Sequence, residues 1–360
     1  MRKTIKVSTP GRICLFGEHQ DYLGLPVIAA AISRRVNISG HQLNDSKAVI
    51  HLPDIKRKLT FDVFPEMVYA SKRDYFRSAL NILQREGYSF KSGLECTVEG
   101  NIPINSGTSS SSALLANWIH FLSRIADIPK PISPEQIAEI AYRAEVVEFK
   151  EAGGMMDHYS TACGNVIYLQ SVPSIKVENL KPNLGTFVLG DSQEPKDTVG
   201  LIKRVKGGVL AAIEKIKNEF PDFSLFTANI DDLSNFKDLL NFEEQALIVG
   251  NIDNRRILNE ALSLLKSESF ENHRLGELLN QHQYNLRENL SISTSKIDRM
   301  IQAGLDAGAL GGKINGSGGG GCMFVYSPEN PEKVAKAIEN QGGKAYIITV
   351  DEGTKLENSY

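Results

Sequence analysis

Two kinds of hydrophobic spacing divide the chain. Alternating or unbroken apolar runs predict strands at residues 4–9, 26–38, 46–52, 58–63 and 94–99. Apolar positions three and four apart predict helices at 69–85, 111–126 and 131–149. In the second of these, Leu114, Leu115, Trp118, Phe121, Leu122 and Ile125 form the apolar stripe. Ser133 is placed to cap the third, with Pro134 at its first position. Strands at 162–169 and 187–189 close this half. Beyond them the pattern turns helical, at 198–220, 243–267, 271–290 and 295–307. Two further strands, 323–326 and 345–350, flank a helix at 332–341. The shift near 185–195 predicts two domains, 1–190 and 191–360. Lone strands among helices, with hairpin-like pairs early on, predict an α+β fold rather than a doubly wound parallel sheet.

Composition narrows the function. At 360 residues, 41% hydrophobic and 23% charged, each half can bury a core without disulfides or a structural metal. The net charge of −3, with no long run of one sign, argues against a nucleic-acid surface and for a small-molecule partner. Cys14, Cys96, Cys163 and Cys322 form no CxxC pair and read as free thiols. The first residues lack an apolar signal region, and no stretch is long and apolar enough to span a membrane. The expectation is a cytoplasmic protein without membrane association, a monomer or weak homodimer.

Candidate chemistry lies in three places. In the first, Asn105, Ser106, Gly107, Thr108, Ser109, Ser110, Ser111 and Ser112 open the helix predicted at 111–126. Serines suit a helix start, where their hydroxyls can cap orphan N–H groups. Gly107 permits close approach of a ligand, and free N–H groups with the helix dipole make an anion site. This is no Walker A loop, because no Gly-Lys-Ser/Thr follows. The alternative is a serine-rich cap with no ligand.

The second place is a glycine run, Gly316 and Gly318 to Gly321, after Lys313. It fits GxGxxG literally, but a strand follows where a dinucleotide fold needs a helix. Gly318 and Gly319 then suit close packing against a nucleotide-bearing loop; a flexible surface loop is the alternative. The third is a set of carboxylates. Glu18, His19 and Asp21 lie in a Gly-bounded turn and suit substrate hydroxyls. Glu145 shares a predicted helix with Glu148 and sits near Glu151, and Asp157 follows Gly153, Gly154, Met155 and Met156. Phosphoryl transfer needs aligned oxygens, Mg²⁺ and a base. Asp157 suits the base, Arg12 its cationic partner near the γ-phosphate, and Glu145 with a loop serine a Mg²⁺ site.

Together these segments resemble the GHMP kinase superfamily, in order and over nearly the whole chain. The resemblance implies an N-terminal domain like the second domain of ribosomal protein S5 and a ferredoxin-like C-terminal domain. ATP would bind between them, with Mg²⁺. Gly11-Arg12 and Gly17 to Tyr22 look like galactokinase, which implies Arg12 at the reacting groups and Glu18, His19 and Asp21 on sugar hydroxyls. Glu145 through Gly154 to Asp157 resembles the galactokinase Mg²⁺ glutamate and catalytic aspartate, with Ala152-Gly153-Gly154 replacing the usual Pro-Cys-Gly. Ser111 or Ser112 matches the Mg²⁺ serine, Ser111 being the first choice, and Asp74-Tyr75 puts Tyr75 near the nucleotide. Residues 24–32, Ser293-Thr294 and Gly308 to Lys313 look like mevalonate kinase. No galactokinase arginine segment or sugar-stacking tyrosine is recognisable after Gly190-Asp191-Ser192.

The implied reaction is transfer of the γ-phosphoryl of ATP to a sugar hydroxyl. The anomeric hydroxyl of galactose, or of a related sugar or sugar acid, is the leading choice. The alternatives are a mevalonate-kinase-like enzyme acting on an isoprenoid precursor and a non-catalytic sugar-sensing protein.

Overall fold

The computed structural model describes residues 4–104, 106–195 and 198–357. Its first sheet joins β1 (Ile5–Phe16), β2 (Val27–Gln42), β3 (Lys47–Leu52), β4 (Arg57–Asp62), β5 (Leu94–Gly100), β6 (Val166–Gln170) and β7 (Lys176–Leu180). Pairing is antiparallel except between β3 and β5. The second sheet joins β8 (Thr186–Asp191), β9 (Gly311–Asn315), β10 (Cys322–Tyr326) and β11 (Lys344–Thr349). A short strand, β12 (Lys355–Leu356), returns to the edge of the first sheet beside β1.

The first helices are α1 (Tyr75–Arg85), α2 (Ser110–Ile125), α3 (Pro134–Tyr142) and α4 (Met156–Cys163). They cover one face of the first sheet. Trp118, Phe121 and Leu122 of α2 share a core there with Val7, Cys14, Val27 and Ala29. The other face, with Ile13, Leu15, Phe16, Ile28, Ala30 and Ile32, packs against later helices and the second sheet. Those helices are α7 (Phe242–Lys266) and α8 (Asn272–Glu288), whereas α5 (Thr198–Glu219), α6 (Leu233–Phe236), α9 (Ser295–Asp306) and α10 (Pro331–Glu339) share a separate core with the second sheet.

The second sheet runs β11-β8-β10-β9, antiparallel throughout. Counting its strands in chain order gives 4-1-3-2, with helices after the first and third: the βαββαβ ferredoxin-like arrangement. The α+β class with two dissimilar sheets thus matches the sequence expectation.

Several local expectations differ. β1 runs on through Gly11 to Phe16, a stretch read as loop. Its residues are apolar on both sides because both faces of the strand are covered, so alternation is lost. A bulge between Pro10 and Gly11 re-aims the chain there. The strand read at 162–169 begins only at Val166, and helix α4 occupies 156–163. The strand read at 187–189 as closing the first half runs over Thr186–Asp191 and lies centrally in the second sheet. Ser133 caps α3 as foreseen, and the structure adds Gln136, which completes a capping box. That helix ends at Tyr142 and passes into a single π turn, Arg143–Val147.

Candidate active site

Segments from β1, the start of α2, the start of α4 and the β9–β10 turn meet at one place. Arg12 leaves β1 buried, and two of its nitrogens, Nε at 2.9 Å and Nη2 at 2.7 Å, donate to Oδ1 of Asp157. Nη1 donates to the carbonyl of Gly107, and the backbone N–H of Arg12 donates to that of Thr108 at 3.2 Å. Asp157 lies in the first turn of α4, where the helix dipole favours negative charge. Burial alone would raise its pKa. The Arg12 charge, helped by His158 and hydrogen bonds, outweighs that and holds the carboxyl below its ordinary value. Arg12 takes only one carboxylate oxygen, so Asp157 is ionised and oriented, with Oδ2 outside the pair.

Asp21 approaches the same turn. Its Oδ1 accepts from Tyr22 N–H at 2.8 Å, and its Oδ2 accepts from Met156 N–H at 3.3 Å. Gly154 makes this possible: a Cβ there would fall 2.0 Å from Oδ2 of Asp21. Burial first, and then the charge of Asp157, push the Asp21 carboxyl up to about 6.

The rest of the Gly-bounded turn faces elsewhere. Glu18 is buried, with Oε2 2.5 Å from the ammonium of Lys313 and Oε1 accepting from Gly316 N–H at 2.7 Å. His19 Nε2 lies 2.9 Å from the carbonyl of Ser317 and therefore carries the proton it donates. Its Nδ1 then accepts from the Tyr22 hydroxyl at 2.7 Å. Burial lowers the His19 pKa, consistent with a neutral ring.

A third carboxylate, paired with a serine, lies alongside. The π turn after α3 aims Glu145 inward, and its Oε2 accepts from Ser112 Oγ and from His158 Nε2, each at 2.8 Å. Burial would raise the Glu145 pKa, but these hydrogen bonds and His158 lower it overall. The serine partner is Ser112, whereas the first-choice Ser111 is exposed. Tyr75 opens α1 next to this pair; burial and then the charge of Glu145 raise its pKa.

The start of α2 has no side-chain cap. Ser109, the N-cap residue, has φ 57° and makes no capping bond; its buried hydroxyl lies toward Asp157 instead and helps hold that carboxyl ionised. Ser106 and Thr108 instead donate to the carbonyl of Pro103, at 2.8 and 3.2 Å. The serines therefore leave the first N–H groups of the helix uncapped by side chains, against the expectation for a ligand-free cap. Ser110 begins the helix; Asn105 lies outside the described residues. The glycine turn comes up against this loop. Gly316 has φ 82°, and a Cβ on it would sit 2.9 Å from the carbonyl of Gly107. Gly319 N–H donates to the carbonyl of Ile292 at 2.8 Å, which ties Gly318 and Gly319 to the segment before α9.

Sequence reasoning missed His158, Asn315 and Lys313. His158 gave one signal, its adjacency to Asp157. Asn315 binds Cys14 N–H at 2.9 Å through Oδ1 and the Gly107 carbonyl at 2.9 Å through Nδ2. Only the fold brings these partners together.

Phosphoryl transfer between small molecules is the chemistry such an arrangement suits, with a helix start for phosphate and a carboxylate held ionised nearby. The comparisons with known proteins give that class its family. The family described as GHMP kinases N terminal domain matches residues 74–165, and GHMP kinases C terminal matches 261–344. The galactokinase galactose-binding signature matches residues 2–41. The mevalonate kinase of Thermococcus sibiricus is 29% identical, over 98% of this chain and 98% of its own. The galactokinase of Pasteurella multocida is 26% identical, over 98% of this chain and 95% of its own.

Among solved structures, Lactococcus lactis galactokinase complexed with galactose superposes with a TM-score of 0.85 at 20% identity, covering 98% of this chain and 95% of that one. Methanococcus jannaschii mevalonate kinase gives 0.74 at 18%, covering 98% and 99%. The chain belongs to the GHMP kinase superfamily and is an ATP-dependent phosphotransferase with the two-domain fold of that group.

Proposed function

We propose that the protein transfers the γ-phosphoryl of ATP to a hydroxyl of a sugar or sugar acid, the anomeric hydroxyl being the leading candidate. The observation that carries this reading is Asp21. Gly154 lets it seat against the turn that presents Asp157, so two carboxylates border one acceptor position. A polyhydroxylated acceptor offers hydroxyls for both. The match to the galactose-binding signature and the likeness to a galactokinase with bound galactose support the same choice.

In this reading Asp157 accepts the proton of the attacking hydroxyl, and Arg12 keeps it ionised and faces the moving phosphoryl group. The uncapped start of α2, from Ser106 to Ser112, receives the ATP phosphates, closed by Gly318 and Gly319. Tyr75 borders the nucleotide. Mg²⁺ fits the hard oxygens of Ser112 and Glu145; among the described residues no group of three His, Cys, Asp or Glu side chains could hold a metal, so phosphate oxygens would complete its shell. No helix among the described residues is long and apolar enough to cross a membrane. A cytoplasmic protein working as a monomer or weak homodimer suits this chemistry.

A second reading, phosphorylation of mevalonate, is favoured by the mevalonate kinases at 27–29% identity over 97% or more of the chain. An ADP-release screen across hexoses, uronic acids, pentoses and mevalonate separates the two. Turnover with a sugar or sugar acid is the expected result; turnover with mevalonate alone overturns the sugar reading. ATP consumption with any acceptor excludes a non-catalytic sensor.

A further inference from the structure

Glu18 and Lys313 meet across the two sheets. Lys313 lies on β9 and is fully buried. Its ammonium donates to Glu18 Oε2 at 2.5 Å, to the carbonyl of Cys14 at 2.9 Å and to that of Ile314 at 2.7 Å. All three of its hydrogens are thereby used. The other oxygen of Glu18 accepts from Gly316 N–H. Both partners are about as buried as a side chain can be, at 0% and 2% exposure, so neither charge is exposed to an incoming ligand. On either side, His19 reaches Ser317, and Asn315 joins Cys14 to Gly107. Residues 313–317 are thus stitched to β1, to the acceptor turn and to the phosphate loop at once.

A buried charge that loses its partner is costly, so Glu18 and Lys313 form one unit. What the unit fixes is the contact of Gly316 with the Gly107 carbonyl, to which Arg12 also donates. The pair therefore sets the height of the glycine turn over the phosphate loop.

We propose that Glu18 is a positioning residue and not an acceptor ligand. With Lys313 it holds the two domains in a preassembled site, and the acceptor is read by Asp21, Asp157 and the backbone around Gly154. His19, with both ring nitrogens engaged, belongs to the same stitch. The proposal rests on the kinase reading above for its kinetic test, while its nucleotide-binding test does not depend on the acceptor.

The experiment uses Glu18→Gln, Lys313→Met and the double variant, each with ATP and the acceptor the screen identifies, and with a non-hydrolysable ATP analogue. Expected are equal losses in the two single variants: at least about tenfold in kcat and in analogue affinity, with acceptor KM within about twofold of wild type. The double variant, which removes both charges, should be no worse than either single one. An acceptor KM raised about tenfold by Glu18→Gln but untouched by Lys313→Met would overturn the proposal, because Glu18 would then contact the acceptor. Equal losses that add in the double variant would overturn it as well. Should Lys313→Met not fold, Lys313→Arg retains the charge, and the acceptor KM of Glu18→Gln still decides. If wild type consumes ATP with no acceptor, the sugar and mevalonate readings both fail, yet equal losses of analogue affinity would still support the stitch.

Discussion

At the scale of single residues, Asp157 and Asp21 are two carboxylates with opposite environments. Asp157 faces Arg12 and is held ionised; Asp21 is half-buried near Asp157, and desolvation with that neighbouring charge pushes its carboxyl up to about 6. Asp157→Asn keeps the shape and the Arg12 contact but removes the proton acceptor. It should lower kcat by about 10²-fold or more while ATP-analogue affinity stays near wild type. Calorimetric titration with steady-state rates checks this, and near-wild-type kcat would remove the base. The sign for Asp21 runs the other way. A carboxyl whose folded pKa is raised contributes stability at low pH, and that contribution is lost as pH rises toward about 6. Wild type should therefore lose stability relative to Asp21→Asn between about pH 4 and pH 6 and change little above. Over the same window the ionised form grows, so acceptor KM should fall as pH rises through about 6 in wild type but stay flat in Asp21→Asn. Urea unfolding and KM across pH 4.5–8 test both halves.

At the scale of elements, the legible part of the site was whatever a short segment shows by itself. The serine-rich start of α2, the glycine run and the Asp157 loop were all visible as strings with unusual backbone demands. The same strings could not show facing. Ser111 and Ser112 are equivalent as text, and only the phase of α2 against the π turn makes Ser112 the partner of Glu145. Glu18 looked open to a ligand because its buried partner lies 295 residues away. Ser112→Ala should therefore raise the Mg²⁺ concentration needed for half-maximal rate by about tenfold, while Ser111→Ala leaves it near wild type. Mg²⁺ titrations at saturating ATP decide it, and the reverse order would return the role to Ser111. The loop before α4 gives a second test. A methyl group at Gly154 would overlap Oδ2 of Asp21, so Gly154→Ala must push the two turns apart. The expected outcome is a raised acceptor KM with ATP KM little changed.

At the scale of the whole molecule, the chain does not simply run from one domain into the next. After completing the second sheet it crosses back, and β12 pairs with the edge of the first sheet. Nothing in the sequence marks this return, because the segment is two strand residues long and its partners, Val7 and Ser8, lie near the other end of the chain. Arg35 is what it anchors to. The guanidinium donates to Asp351 Oδ2 at 2.9 Å, to the carbonyls of Glu352 at 3.0 Å and Gly353 at 2.7 Å, and to Ser8 Oγ at 2.9 Å. Beyond it Thr354 accepts from Thr9 at 2.8 Å and bonds His120, a ring that burial lowers to about 4 and so keeps neutral near pH 7. A strap fastened mainly by a cation to three tail acceptors should release as one piece when that cation is removed. Arg35→Ala leaves Asp351 without its cation and the tail carbonyls without donors, a loss of about 2 kcal/mol by the cost of charged hydrogen bonds. Arg35→Lys keeps the charge but cannot span the same acceptors, so it should recover only part of this. The strap touches none of the proposed catalytic groups, so kcat at low temperature should stay near wild type while the unfolding midpoint falls and proteolysis between residues 350 and 357 speeds up. Loss of kcat at unchanged stability would instead mean that the returning strand sets the position of Arg12 through β1.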